Sequence, residues 1–198
     1  MSIEILSTTP VSTPDQASTC YALRHRAYVA ANAIVPRADG LFHDAYDEQP
    51  NCPSFLLCDG DRTLGSRRAN IYSAEFDGLP TAAQEVYGDE IKEVLGARPY
   101  VESNRFVMDP AYAVPSLDPI LILFQRICQQ GLEHACDYFI TAVRRRHVRF
   151  YRRLFLEPIS GERIYPGLQA EMVLMAGAVQ DVVANLRRDP NYQTYVGA

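Results

Sequence analysis

Long apolar runs are missing from this sequence. The longest, such as Ile120 to Phe124 and Met172 to Val179, fall far short of the ~20 residues that a spanning helix needs, which excludes a membrane span. The opening MSIEIL has no basic leader followed by an apolar stretch, so no secretion signal is predicted. An excess of basic charge is also absent. The 24 acidic against 19 basic residues give a net charge of −5, and no global basic field advertises nucleic acid. The five cysteines, Cys20, Cys52, Cys58, Cys128 and Cys136, are odd in number and hold no C-x-x-C pair. That pattern suits reduced thiols in a cytoplasm, each a small buried hydrophobe, rather than a disulfide frame or a zinc site. There is no H-x-x-x-H metal pair, G-x-S-x-G elbow, P-loop or dinucleotide fingerprint, and no metal is expected. His25, His43, His134 and His147 are dispersed, so a nucleophile with a histidine base has no support, which tells against a hydrolase.

What is present is an ordinary globular composition, 198 residues of which 47% are hydrophobic and 22% charged. This is enough to bury a full core in one domain spanning residues 1–198. Residues 1–18, rich in Ser, Thr and Pro, read as an arm or an opening strand. Gln16 to Ala33 reads as a helix, and a long loop with Pro36, Gly40, Pro50 and Pro53 follows. Loops of that length are often functional. Ser54–Cys58 and Thr63–Tyr72 flank Asp59-Gly60-Asp61 and predict a β-hairpin. Further on, 81–95 is predicted as a helix, Pro99–Met108 as a strand, Leu117–Ala135 as a helix and Tyr138–Val143 as a buried strand. His147–Leu154 follows as a short helix, Glu157–Tyr165 and Glu171–Met175 as strands, and Val179–Arg188 as a last helix. This order predicts an α/β (α+β) fold, with helices flanking one mixed central β-sheet.

Charge stands in five places of note. Asp44-Ala45-Tyr46-Asp47 lies inside the long loop, where two carboxylates cap turns, bind a cation or ammonium group, or pair with arginines. Glu102-Ser103-Asn104-Arg105 lies in a strand. Regular alternation puts Glu102 and Asn104 on one face and Arg105 on the other, unless a bulge, a feature common beside active sites, changes the alternation. Gly65-Ser66-Arg67-Arg68 places two arginines in a strand, one pointing into the buried face and needing a carboxylate partner. Arg24 shares a helix face with Tyr28. A basic run, Arg144, Arg145, Arg146, Arg149, Arg152 and Arg153, interrupts an otherwise acidic chain. It reads either as a solvated helix face or as a patch for phosphate or an acidic, phosphorylated protein arm.

Taken in order, Arg24 with Tyr28, Asp44-x-x-Asp47, Gly65-x-x-Arg68 and Glu102-x-x-Arg105 resemble the charged signature of the acyl-homoserine-lactone (autoinducer) synthases. The chain looks still more like their relatives, the N-acyl amino acid synthases. Both belong to the GNAT-like acyltransferase superfamily. The likeness is clearest over residues 20–110. It continues through Phe150-Tyr151-Arg152-Arg153-Leu154-Phe155, similar to the superfamily's Y-x-R-x-G-F segment with Leu154 in place of glycine. Ile34 stands where the lactone synthases carry tryptophan, and Gly40 to Asp47 with Tyr165-Pro166-Gly167 is closer to the amino acid synthase branch. The Gly-rich turn that holds a coenzyme A pyrophosphate at a helix N-terminus is replaced by Val114-Pro115-Ser116-Leu117-Asp118. This favours an acyl carrier protein over coenzyme A as donor.

The resemblance implies a GNAT-like fold and transfer of a fatty acyl chain from a phosphopantetheine thioester to the α-amine of a small acceptor, with no tightly bound cofactor. An α-amine has a pKa of about 8 and must lose a proton before it attacks. Glu102 matches the family's glutamate and is the implied base. Arg105 and Arg68 would hold carboxylates, the acceptor's included. Arg24, Tyr28, Asp44 and Asp47 would fold the loop over the donor arm. Backbone N–H groups near Phe106, Val107 and Met108 would meet the oxyanion, and Tyr151 would protonate the departing thiolate. The acyl chain would lie among Leu121, Phe124, Phe139 and Val143. The basic run would receive the carrier protein. A lactone synthase using S-adenosylmethionine, and a non-catalytic lipid- or carrier-binding module, are the competing expectations.

Overall fold

The computed structural model describes residues 6–112 and 117–188. Seven strands form one sheet in the order β1-β2-β3-β4-β5-β7-β6. They are β1 (Leu6–Pro10), β2 (Ser54–Asp59), β3 (Arg62–Tyr72), β4 (Tyr100–Met108), β5 (Tyr138–Val143), β6 (Glu157–Ile164) and β7 (Glu171–Ala178). Every pairing is antiparallel except β4 with β5. That one parallel step needs a crossover helix, supplied by α3 (Asp118–Glu133). The predicted opening strand is present as β1. The stretch Val114–Ser116, where the coenzyme-binding turn is missing, lies outside the described residues.

Helix α1 (Pro14–Ala30) starts at a capping box, in which Thr13 Oγ1 accepts from Gln16 N at 3.3 Å and Gln16 Oε1 accepts from Thr13 N at 3.1 Å. Pro14 at its first turn is pre-set for that role. The helix ends before the predicted Ala33 because Asn32 takes a left-handed φ of +49°, a common helix stop. The β2–β3 hairpin turns at Gly60, whose φ is +54°, as the Asp-Gly signal predicts.

Both faces of the sheet are covered. On one, α1 and α2 (Gln84–Leu95) bury Leu23, Tyr28, Phe42, Tyr87, Tyr100 and Val107. On the other, α3 and α5 (Val179–Leu186) bury Phe55, Ile71, Val101, Phe124, Phe139 and Val182. Gly131 on α3 permits this packing, since a Cβ there would lie 2.8 Å from Val101 Cγ1. Because neither face is wet, Arg67 and Arg68 are both buried, rather than one in and one out. Four of the five thiols are buried as predicted, while Cys58 is half-buried, and all five are free.

The short helix α4 (Val148–Arg152) is followed by a left-handed turn. The residue that takes this conformation is Phe155 (φ +60°), one position after Leu154. Phe155, not Leu154, therefore occupies the place that suits glycine. No helix among the described residues is long and apolar enough to cross a membrane.

Candidate active site

The β4–β5 ladder is short. It pairs Tyr100 with Tyr138, Val101 with Phe139 and Glu102 with Ile140, and then stops, although β4 continues to Met108 and β5 to Val143. At the point of divergence Thr141 Oγ1 donates to the Ser103 carbonyl at 2.8 Å. Beyond it the strands splay around a cavity of about 380 Å³. Phe106, Val107 and Met108 wall it on the β4 side, Ala142 and Val143 on the β5 side, and Ala27 and Tyr28 of α1 close one face. Arg144, Arg146, His147 and Tyr151 line it as well. Arg146 and His147 are exposed, so the basic run stands at the solvent end. Of the four residues expected around the acyl chain only Val143 lines this cavity. Leu121, Phe124 and Phe139 are packed in the core between α3 and the sheet.

A bulge lies in β4 where the sequence allows one. Ser66 pairs with Val107 and Arg68 with Asn104, so two β4 residues, Arg105 and Phe106, oppose the single Arg67. Arg105 carries the strain of the bulge, with φ at +50°. Regular alternation would send its side chain to the α3 face. The bulge turns it to the α1 face, where Nε and Nη2 donate to Asp44 Oδ2 at 3.0 and 2.5 Å and Nη2 also reaches the Pro166 carbonyl at 3.0 Å.

Asp44 and Asp47 do two of the jobs open to them. Asp44 caps a short 3-10 turn, Ala45–Glu48, accepting from Tyr46 N at 3.0 Å, while Asp47 Oδ2 accepts from Asp44 N at 3.0 Å. The same two carboxylates also gather three arginines. Asp47 Oδ1 takes Arg24 Nη1 at 2.7 Å and Arg68 Nη1 at 3.0 Å, and Asp44 Oδ1 takes Arg68 Nη1 at 2.7 Å. Burial alone would raise both carboxyls. The hydrogen bonds and charge of Arg68 and Arg105 at Asp44, and of Arg24 and Arg68 at Asp47, overcome it and hold both below the usual range, Asp44 well below it. Arg24 also donates to Ser54 Oγ at 2.7 Å. The long loop is thus fastened to α1, β3 and β4. Tyr28, on the Arg24 face of α1, packs edge-on against Phe42 from the same loop, with ring centroids 4.9 Å apart.

Glu102 is fully buried and meets no arginine. Its Oε2 accepts from Ala83 N at 2.9 Å, and its Oε1 accepts from Asn104 Nδ2 at 2.9 Å and from the Tyr165 hydroxyl. Asn104 joins this group to the cation cluster, its Oδ1 accepting from Arg68 Nε at 2.9 Å. The arginines therefore hold Asp44 and Asp47, not the Glu102 carboxylate. Asn104 and Tyr165 both line the cavity, whereas Glu102 lies one side chain behind its wall.

Arg67 departs furthest from expectation. No ion pair joins it to a carboxylate among the described residues. It donates from Nε to Ser103 Oγ, faces the rings of Phe106 and Phe124 at 5.2 and 4.8 Å, and leaves Nη1 without a hydrogen-bond partner. Burial pushes its guanidinium pKa down, partly offset by Tyr151. Residues that the charge pattern did not single out complete the site: Tyr165, Thr141, Ser54 and the Ala83 amide. A tyrosine beside Pro-Gly was their one visible signal.

A family model described as N-acyl amino acid synthase FeeM matches residues 19–178. No curated protein matches the sequence. Among solved structures, FeeM, an N-acyl amino acid synthase from uncultured soil microbes, is similar with a TM-score of 0.76 at 20% identity, over 91% of this chain and 93% of that one. TofI, solved in a ternary complex with an inhibitor and MTA, gives 0.67 at 17% identity over 94% and 99%. The AHL synthase LasI gives 0.62 at 11% identity over 88% and 89%. The fold is thus the GNAT-like acyltransferase fold with a mixed central sheet.

Proposed function

Because the chain belongs to the N-acyl amino acid synthase family and is an acyltransferase, we propose that it moves a fatty acyl group from acyl carrier protein to the α-amine of an amino acid. The observation that carries this reading is the cavity opening where the β4–β5 ladder ends. A phosphopantetheine arm is a slender chain with amide groups, and a splayed pair of strands offers it unpaired backbone. Its thioester carbonyl then sits against Phe106, Val107 and Met108, whose N–H groups meet the developing oxyanion. One such donor contributes on the order of 3 kcal/mol.

The acceptor enters as an ammonium carboxylate. Arg105 lines the cavity and keeps Nη1 buried with no hydrogen-bond partner. A buried unpaired donor on a cation is costly, and an acceptor carboxylate satisfies it. Arg68, Arg24, Asp44 and Asp47 act one step away, holding the loop and the Asn104 amide in place. Glu102 is the base for the amine. Tyr151, at the cavity wall, protonates the departing thiolate.

Arg144 and Arg146 at the solvent end, with Arg145, Arg149, Arg152, Arg153 and the half-exposed Phe155 along the same segment, suit an acidic carrier protein with a phosphorylated arm. The free thiols suit the cytoplasm. Supplying the protein with acyl carrier protein or coenzyme A thioesters, against a mixture of amino acids and S-adenosylmethionine, tests the reading by product mass. An N-acyl amino acid from the carrier-linked donor is the expected product. An acyl lactone would move the chain to the lactone chemistry, and no acylated amine from a folded sample would refute both.

A further inference from the structure

We propose that Tyr165 is a catalytic residue, the proton relay between the acceptor amine and Glu102. This rests on the reading of Glu102 as the base. A buried carboxylate that does not reach the cavity cannot take a proton from a ligand unless some group passes it on. Two side chains touch Glu102 Oε1, Asn104 and Tyr165, and both line the cavity. The Asn104 Nδ2 group is a donor only and cannot accept a proton. The Tyr165 hydroxyl can do both. It donates its proton to Glu102 and accepts a single 3.3 Å bond from Asn104 Nδ2, which leaves one lone pair free.

The ring stands where two openings meet. Tyr165 also lines a second, wider cavity of about 740 Å³, bounded by Arg37, Phe42 and Glu85. The turn that carries it is pinned to the cation cluster, since Arg105 Nη2 donates to the Pro166 carbonyl. Gly167 closes this turn at a φ of +75°, a conformation that suits glycine. The charged groups facing the phenol are Glu102, Arg105 and Arg68, and burial followed by the Glu102 charge raises its pKa well above 10. The phenol therefore stays protonated and acts by exchange. Its oxygen takes one proton from the ammonium as its own proton passes to Glu102, leaving a neutral amine, a neutral phenol and a protonated Glu102. The nitrogen attacks, the C–S bond breaks as Tyr151 gives its proton to the sulfur, and the second N–H proton restores the Tyr151 hydroxyl. Glu102 returns its proton to solvent through the same path.

Steady-state transfer by Tyr165→Phe from pH 6.5 to 9.5 tests this. At pH 7 kcat is expected to fall on the order of 100-fold, a usual loss for a general acid–base group, with the donor KM unchanged. Towards pH 9.5 a large share of the amine arrives already deprotonated, and most of the loss should disappear. Glu102→Gln should follow the same profile, and the double variant should be no slower than the slower single one. Tyr165→Met, similar in bulk, is the second variant if Tyr165→Phe does not fold. Wild-type turnover in these variants at pH 7, or a loss constant across the range, overturns the relay. Inactivity of the wild-type protein with every donor is a different result and overturns the acyl-transfer reading instead.

Discussion

Removing the Asp47 carboxylate should unfasten the loop from the sheet at a measurable cost. One oxygen of Asp47 faces two guanidinium groups, Arg24 at 2.7 Å and Arg68 at 3.0 Å, and the side chain is only 2% exposed. In Asp47→Ala, Arg24 keeps only Ser54 Oγ as a side-chain acceptor, and Arg68 relies on Asp44 and Asn104. Breaking a buried pair while leaving its cation in place costs about 3–5 kcal/mol. The other oxygen caps the 3-10 turn through Asp44 N, and losing a cap adds about 1 kcal/mol. For a chain of this size each kcal/mol moves the melting temperature by about 2–4 °C, so a drop on the order of 10 °C is expected. Urea unfolding gives the free energy directly. The double variant Asp47→Ala with Arg24→Met should recover part of the loss, because it removes one of the stranded charges. A single variant within 1 kcal/mol of wild type, as a rule ~1 kcal/mol being the ceiling for exposed pairs, would show that the cluster does not hold the loop.

Three further outcomes follow from the same structure. Asp44 and Asp47 have carboxyl pKa values held below their unfolded value of about 3.9. The stability they add is therefore full above about pH 5 and drains away as pH falls below about 4. Urea midpoints from pH 6 to pH 3 should fall steeply, and less steeply in Asp44→Asn. Arg67→Met removes a buried cation that has no carboxylate partner, so its unfolding free energy should stay within about 1 kcal/mol of wild type or rise. A loss above about 3 kcal/mol would mean that the guanidinium is better satisfied than its contacts indicate. Phe155→Gly relieves a left-handed residue whose side chain is 53% exposed. A gain of about 1 kcal/mol in urea unfolding is expected, and a loss of similar size would locate an apolar contact made by that ring.

The secondary structure was legible because its signals are local. Asp59-Gly60 turns the hairpin and α3 carries apolar residues at helical spacing, whereas the Thr13-Pro14 cap starts α1 inside the stretch 1–18 that reads as an arm or opening strand. The bulge was legible as a possibility from Glu102 and Arg105, since only a break in alternation brings them to one face. Its consequence was not, because the partner that Arg105 meets is Asp44, 61 residues away. Tyr165 lies 63 residues from Glu102, and the Pro-Gly beside it marks a turn without showing that the hydroxyl meets a buried carboxylate. Arg67 misled for a different reason. A buried arginine usually implies a carboxylate, yet this one rests on two aromatic rings and a serine hydroxyl. Hydrophobicity alone marks Leu121, Phe124, Phe139 and Val143 in the sequence and cannot distinguish a cavity wall from a packed core; of the four, the splay reaches only Val143.

The most direct test compares Glu102→Gln with wild type in two readouts on one sample, turnover of an acyl carrier protein thioester with an amino acid, and affinity for that donor. A buried base for the amine predicts a turnover loss of roughly 10²–10⁴-fold, with donor affinity unchanged. Undiminished turnover, or a loss of donor binding that accounts for all of the lost rate, would contradict it.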